Sequence, residues 1–130
     1  VTVAVLDASA LLAMLMGKPG GEVVRPFLAD SAMSTLNLSE VVGHFARNGA
    51  AGSQIRSALD PLPILHVPFD ETLAYEAGLM LPATRPAGLS LGDRACLALA
   101  GRMGVRAITA DRSWVPVGKQ LGIAVELIRR

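Results

Sequence analysis

Four of the eleven acidic residues, Asp7, Glu40, Asp93 and Asp111, stand at the end of a predicted strand or in the first turn of the helix that follows it. Carboxylates at such positions have two uses. Each is suited to capping: Asp7 ahead of the first helix, Asn37-Leu38-Ser39-Glu40 and Ser90-Leu91-Gly92-Asp93 as capping boxes, and Asp111 ahead of a helix at Trp114. The helix dipole favours acids there without any catalytic purpose, so capping explains each one singly as well as chemistry does. Four carboxylates crowded at one edge of a sheet are a different matter, because they repel; either several take up protons or a cation neutralises them. Oxygen donors with no Cys or His cluster beside them suit Mg²⁺ or Mn²⁺ rather than Zn²⁺. Such an ion activates water and offsets charge in an in-line attack on phosphorus.

The elements that must position these acids follow from the apolar pattern. A strand is predicted over 3–6, a helix over Ala8–Leu15, a break at Lys18-Pro19-Gly20-Gly21, and a resumed helical pattern over 22–29. Then come a strand over 33–36, a helix opened by Asn37 and running to about Asn48, a helix over 53–59, a strand over 64–67 and a helix over 70–81. A loop over 82–88 leads to a helix over 90–103, a strand over 107–109, a short helix over Trp114–Leu121 and a last strand over 123–128. Short apolar strands alternating with helices predict an α/β fold: a central, mostly parallel sheet of about five strands, flanked by helices and joined by right-handed crossovers. Ligands of such open sheets gather beyond the carboxyl ends of the strands, where the four acids fall.

Length and composition set the frame. The 130 residues suit one domain, 1–130, and 52% hydrophobic with 18% charged residues is the balance of a chain that folds. Cys96 is the single cysteine, so no internal disulfide forms, and a reducing cytoplasm is the expected setting. The longest apolar runs are too short to span a membrane, and the first lacks the pattern of a secretory signal. A net charge of +1 permits a polyanionic partner without pointing to one.

The motifs carry a family resemblance. Val5-Leu6-Asp7-Ala8-Ser9-Ala10-Leu11, Asn37-Leu38-Ser39-Glu40-Val41, the run from Leu89-Ser90-Leu91-Gly92-Asp93-Arg94 to Ala100, and Thr109-Ala110-Asp111-Arg112-Ser113-Trp114 resemble, in order and end to end, the motifs of PIN domains. Any one is weak; four in order are specific. The chain is most similar to the VapC toxins of bacterial VapBC toxin-antitoxin pairs. That resemblance implies a Mg²⁺- or Mn²⁺-dependent endoribonuclease acting on RNA, held inactive by a VapB-type antitoxin and paired as a homodimer. It implies that Asp7, Glu40, Asp93 and Asp111 are the acidic ligands, with Ser9 and Thr109 as hydroxyl groups supporting them.

Other residues are weighed against plainer roles. Arg94 and Arg112 directly follow Asp93 and Asp111, where a guanidinium would either hold phosphate or make a surface ion pair. His44 and His66 have no acid-base partner at a useful spacing and read as structural. Trp114 reads as packing. The run Leu11-Leu12-Ala13-Met14-Leu15-Met16 is apolar nearly all round, which suggests core with a share in partner contact. A haloacid-dehalogenase-like phosphatase would need a second Asp at the position of Ser9. A catalytically silent PIN fold that only binds RNA or protein is the remaining alternative.

Overall fold

Strand β1 (Ala4–Leu6) is apolar at every position and wholly buried, as a strand covered by helices on both sides must be. In the computed structural model, which describes residues 1–129, it is followed by α1 (Ala8–Leu15), α2 (Gly21–Val24), a 3₁₀ turn over Arg25–Asp30 and β2 (Ser31–Ser34). Next come α3 (Thr35–Arg47), α4 (Gly52–Leu59), β3 (Leu65–Val67), α5 (Glu71–Leu79), α6 (Leu81–Thr84) and a second 3₁₀ turn over Arg85–Ala87. The chain ends through α7 (Leu91–Met103), β4 (Arg106–Thr109), α8 (Trp114–Leu121) and β5 (Val125–Leu127). Arg130, the last residue of the expected domain, lies outside the described residues.

The five strands form one sheet in the order β3-β2-β1-β4-β5, parallel at every pairing rather than mostly so. Alternation along the strands divides the core. Ala4 and Leu6 face a cluster with Leu11, Met14, Val41 and Ile55, under α1, α3 and α4. Val5, Ala32 and Ala107 face a second cluster with Leu73, Cys96, Leu97 and Trp114, under α5, α7 and α8. Cys96 and Trp114 are both fully buried, the packing role expected of them.

The strand order places the site. From β1 the chain moves outward through β2 to β3, then returns to lay β4 on the other side of β1 and β5 beyond it. The crevice beyond the carboxyl ends of β1 and β4 is therefore the switch point of the sheet, the place where open α/β sheets take their ligands.

Several local expectations change. The second strand ends at Ser34, whose hydroxyl accepts from the Leu36 amide and starts α3 two residues before Asn37. Asn37 is thus inside the helix, and the expected Asn37–Glu40 capping box does not form. The stretch over 22–29 is split by Pro26 into a helical turn and a 3₁₀ turn. The expected loop over 82–88 is also helical: Pro82 and Pro86 each sit at the start of a short turn, where a missing N–H leaves no bond unmade. Asp111 does not cap the helix at Trp114; its Oδ1 accepts from the Ser113 amide and hydroxyl in the turn before it. Finally, α1 buries Leu11, Ala13 and Met14 and leaves Leu12 and Leu15 half-buried and Met16 exposed, while Tyr75 (69% exposed) and Leu79 (77%) on α5 stand in solvent. No helix among the described residues is long and apolar enough to cross a membrane.

Candidate metal centre

Asp7 is the first residue beyond β1 and caps α1. Its Oδ1 accepts from the Ala10 amide at 2.8 Å, and its Oδ2 accepts from Thr109 Oγ1 at 2.6 Å. Ser9 Oγ donates to the same carboxylate, 2.8 and 2.9 Å from its two oxygens. The two hydroxyls also accept: Ser9 Oγ from the Ala110 amide at 3.0 Å, and Thr109 Oγ1 from the Asp111 amide at 3.1 Å. Together they lace the turn after β1 to the turn after β4, so the sequence expectation for Ser9 and Thr109 has a definite geometry. Asp7 is 4% exposed, and burial raises its carboxyl to about pKa 6 despite the Thr109, Ala10 and Ser9 bonds that oppose the rise; Asp93 adds to it.

Glu40 lies on α3, one turn into the helix that leaves β2. Burial raises its carboxyl above the ordinary value, the Asn37 amide opposes that, and Asp93 raises it further. Asp93 closes the predicted capping box on α7: Ser90 Oγ accepts from the Asp93 amide at 3.2 Å, and Asp93 Oδ2 accepts from the Ser90 amide at 2.8 Å. Its carboxyl too is raised by burial, against the Ser90 bonds, with Asp111 pushing it up and Arg94 pulling it down. The buried thiol of Cys96 is raised by desolvation first and then by Asp7, Asp93 and Glu40. The four acids from four separate segments thus share one field around the amino end of α7.

That field has almost no counter-charge. The ion pairs among the described residues are Arg56–Asp60, Arg102–Asp70 and Arg106–Glu126, and none involves the four acids. Arg94 turns away from the crevice: its Nη1 donates to the Ala77 carbonyl on α5 at 3.0 Å, and its Nε is buried without a partner. It braces α7 against α5 rather than lying open to a phosphate. Arg112 is exposed on the turn after Asp111.

Among the described residues no three acids converge on one point as a finished metal cage. The donor set nevertheless fits a hard divalent cation. Every donor is oxygen, burial and repulsion both oppose the charged forms of Asp7, Glu40 and Asp93, and the outer acids each keep an oxygen with no partner among the described residues: Glu40 Oε2, Asp93 Oδ1 and Asp111 Oδ2. Capping and ligation are therefore compatible at Asp93, whose cap uses Oδ2 alone, whereas at Asp7 both oxygens already accept hydrogen bonds, Oδ1 from Ala10 and Ser9 and Oδ2 from Thr109 and Ser9.

Two residues near the acids escaped the sequence reading. Asn37 Nδ2 donates to Glu40 Oε1 at 2.8 Å and to the Gly92 carbonyl at 2.9 Å. Gly92 faces the Glu40 carboxylate so closely that a Cβ would overlap it. The only signal available was that each lies inside an acidic motif, where it passed for part of a cap.

Similarity to known proteins follows the same outline. No curated protein matches the chain. Among solved structures it is similar to a toxin-antitoxin complex from Klebsiella pneumoniae (18% identity, 98% of each chain covered, TM-score 0.72). It is similar also to a DNA-bound VapBC from Salmonella typhimurium (15% identity, 98% of this chain and 99% of the other, TM-score 0.72) and to VapBC-5 from Mycobacterium tuberculosis (21%, 100% of each, TM-score 0.61). At these identities the likeness is one of fold. The PIN domain family model matches residues 4–119, nearly the whole chain and all four acids, and the chain belongs to the PIN domain family.

Proposed function

We propose that the chain is a metal-dependent endoribonuclease and the toxin of a VapBC-type pair. The observation that carries this reading is the gathering of Asp7, Glu40, Asp93 and Asp111 at the switch point of the sheet with no ion pair to any of them among the described residues. Bound Mg²⁺ or Mn²⁺ would supply the charge that lowers the pKa of water and offsets the negative charge developing around phosphorus. Asp7, fixed by Ser9, Thr109 and Ala10, would be the rigid member of the set that holds the ion, and Glu40, Asp93 and Asp111 would offer the oxygens they keep free. The exposed guanidinium of Arg112 is suited to a phosphate of the RNA at the mouth of the crevice.

The partner belongs to the same reading. The similar chains come from complexes described as toxin-antitoxin or VapBC assemblies, which supports a VapB-type antitoxin for this one. A homodimer is part of the proposal, with the exposed apolar face of α5 as its best-suited surface.

The test is cleavage of total RNA by the purified protein, in chelator and in Mn²⁺. Cleavage should be absent in chelator and present with the ion, leaving 5′-phosphate and 3′-hydroxyl ends because the attacking group is water. Full activity in chelator, or 2′,3′-cyclic phosphate ends, would overturn the metal mechanism. A protein that binds RNA yet never cuts it would favour the silent PIN fold.

A further inference from the structure

Helix α3 meets the first turn of α7 through one side chain. Asn37 is 1% exposed, and both hydrogens of its amide are engaged, one by Glu40 Oε1 and the other by the Gly92 carbonyl. Both partners are acceptors, so only one orientation of the amide satisfies them. The carbonyl of Asn37 is left buried with no donor among the described residues, an unfavourable arrangement in itself. Its compensation lies at the other end of the amide, where the Glu40 carboxylate is held.

Gly92 completes the arrangement. It lies in the first turn of α7, where alanine is the better helix former. A Cβ there would lie 2.5 Å from both Cδ and Oε1 of Glu40. That contact is with the end of a flexible side chain rather than with backbone, so the collision is relieved by the carboxylate moving out and not by the helices parting.

We infer that Asn37 and Gly92 are positioning residues for Glu40: Asn37 holds its carboxylate within the acidic cluster, and Gly92 leaves the space it occupies. The consequence for metal binding rests on the proposed function, whereas the consequence for the position of Glu40 does not. A plain structural tie between α3 and α7 would instead affect stability and leave both untouched.

The experiment compares the parent with Gly92→Ala and Asn37→Asp. It reads melting temperature in chelator, Mn²⁺ affinity by calorimetry, and the position of Glu40 in crystal structures. Gly92→Ala should melt at or above the parent temperature, with the Glu40 carboxylate displaced and Mn²⁺ affinity reduced at least tenfold. Asn37→Asp sets acceptors against acceptors at the same shape and should displace Glu40 in the same way. If that variant does not fold, Gly92→Ala decides alone. A Glu40 carboxylate unmoved in Gly92→Ala, or parental Mn²⁺ affinity in that folded variant, overturns the inference. If the parent itself binds no Mn²⁺, the metal reading fails separately, and the position of Glu40 in Gly92→Ala still decides this one.

Discussion

At the scale of single residues, the question raised by the sequence is whether the acids cap helices or hold metal, and at Asp93 the geometry leaves an oxygen for the second use beside the first. Asp7 Oδ1 and Asp93 Oδ2 each accept from a backbone amide at a helix start, and both carboxylates remain poorly solvated and mutually repelling. Asp70 caps α5 as well, yet its surroundings act the other way: the Leu73 amide and Arg102 hold its carboxyl below the ordinary range. The signs of the two pH dependences are opposite. Asp7, raised from 3.8 to about 6, favours the folded state most below pH 3.8 and loses that contribution as pH rises through 6. A shift of that size corresponds to about 3 kcal/mol of metal-free destabilisation at neutral pH, at about 1.4 kcal/mol per pKa unit. Asp70 stabilises above the carboxylate range and loses its contribution as pH falls. We therefore expect Asp7→Asn and Asp93→Asn, which keep an acceptor for the cap, to melt at or above the parent in chelator at pH 7.5 while cleavage falls by orders of magnitude. Asp70→Asn should melt lower and cut RNA normally. Melting curves in chelator and cleavage rates in Mn²⁺ check all three; early melting with near-parental cleavage in the first two would return them to capping alone.

At the scale of elements, what was legible in the sequence was what neighbouring residues decide. The apolar run of β1, the Ser90–Asp93 box and the uninterrupted pattern of α1 were readable because their causes lie within a few positions. The start of α3 was misplaced because Ser34 and Asn37 are both good caps, and only the pairing of β2 with β1 and β3 fixes where the strand stops. The bond from Asn37 to Gly92 spans 55 positions and has no local signature. The prolines over 82–88 read as breakers because pattern alone does not separate a loop from two short turns. Which apolar face remains outside is likewise a tertiary fact: α1 is covered by α2 and α3 with Met16 exposed at its end, and the two large apolar residues exposed together on one helix are Tyr75 and Leu79 on α5. The dimer is accordingly expected through α5 rather than through the early helices. Light scattering at micromolar concentration should return a dimer for the parent and a monomer for Tyr75→Ser/Leu79→Lys, with melting little changed. A parent that stays monomeric, or a double variant that stays dimeric, would remove α5 from that role.

At the scale of the whole molecule, the proposed ion and protons would act on stability through the same groups, the carboxyls of Asp7, Glu40 and Asp93. With a net charge of +1, the chain carries no global excess of negative charge to draw cations, so any strong effect of a divalent ion must come from a local cluster. An ion that binds only the folded state adds about 2.7 kcal/mol when present at roughly a hundred times its Kd. For a domain of this size that amounts to a rise in Tm of about 10 °C. The ligands must be deprotonated to bind, and the carboxyls of Asp7, Glu40 and Asp93 all hold protons more tightly than ordinary acids do. Protons therefore compete with the ion below about pH 6. Over the same range the metal-free protein regains the stability that a charged, buried Asp7 removes. The two effects have the same direction: melting temperatures in Mn²⁺ and in chelator should lie furthest apart near pH 7.5 and draw together as pH falls to 5. Thermal melts at half-unit intervals of pH would trace this. A gap that stays constant with pH would mean that the ion binds away from these carboxylates, and no gap at pH 7.5 would mean that the cluster holds no metal at all.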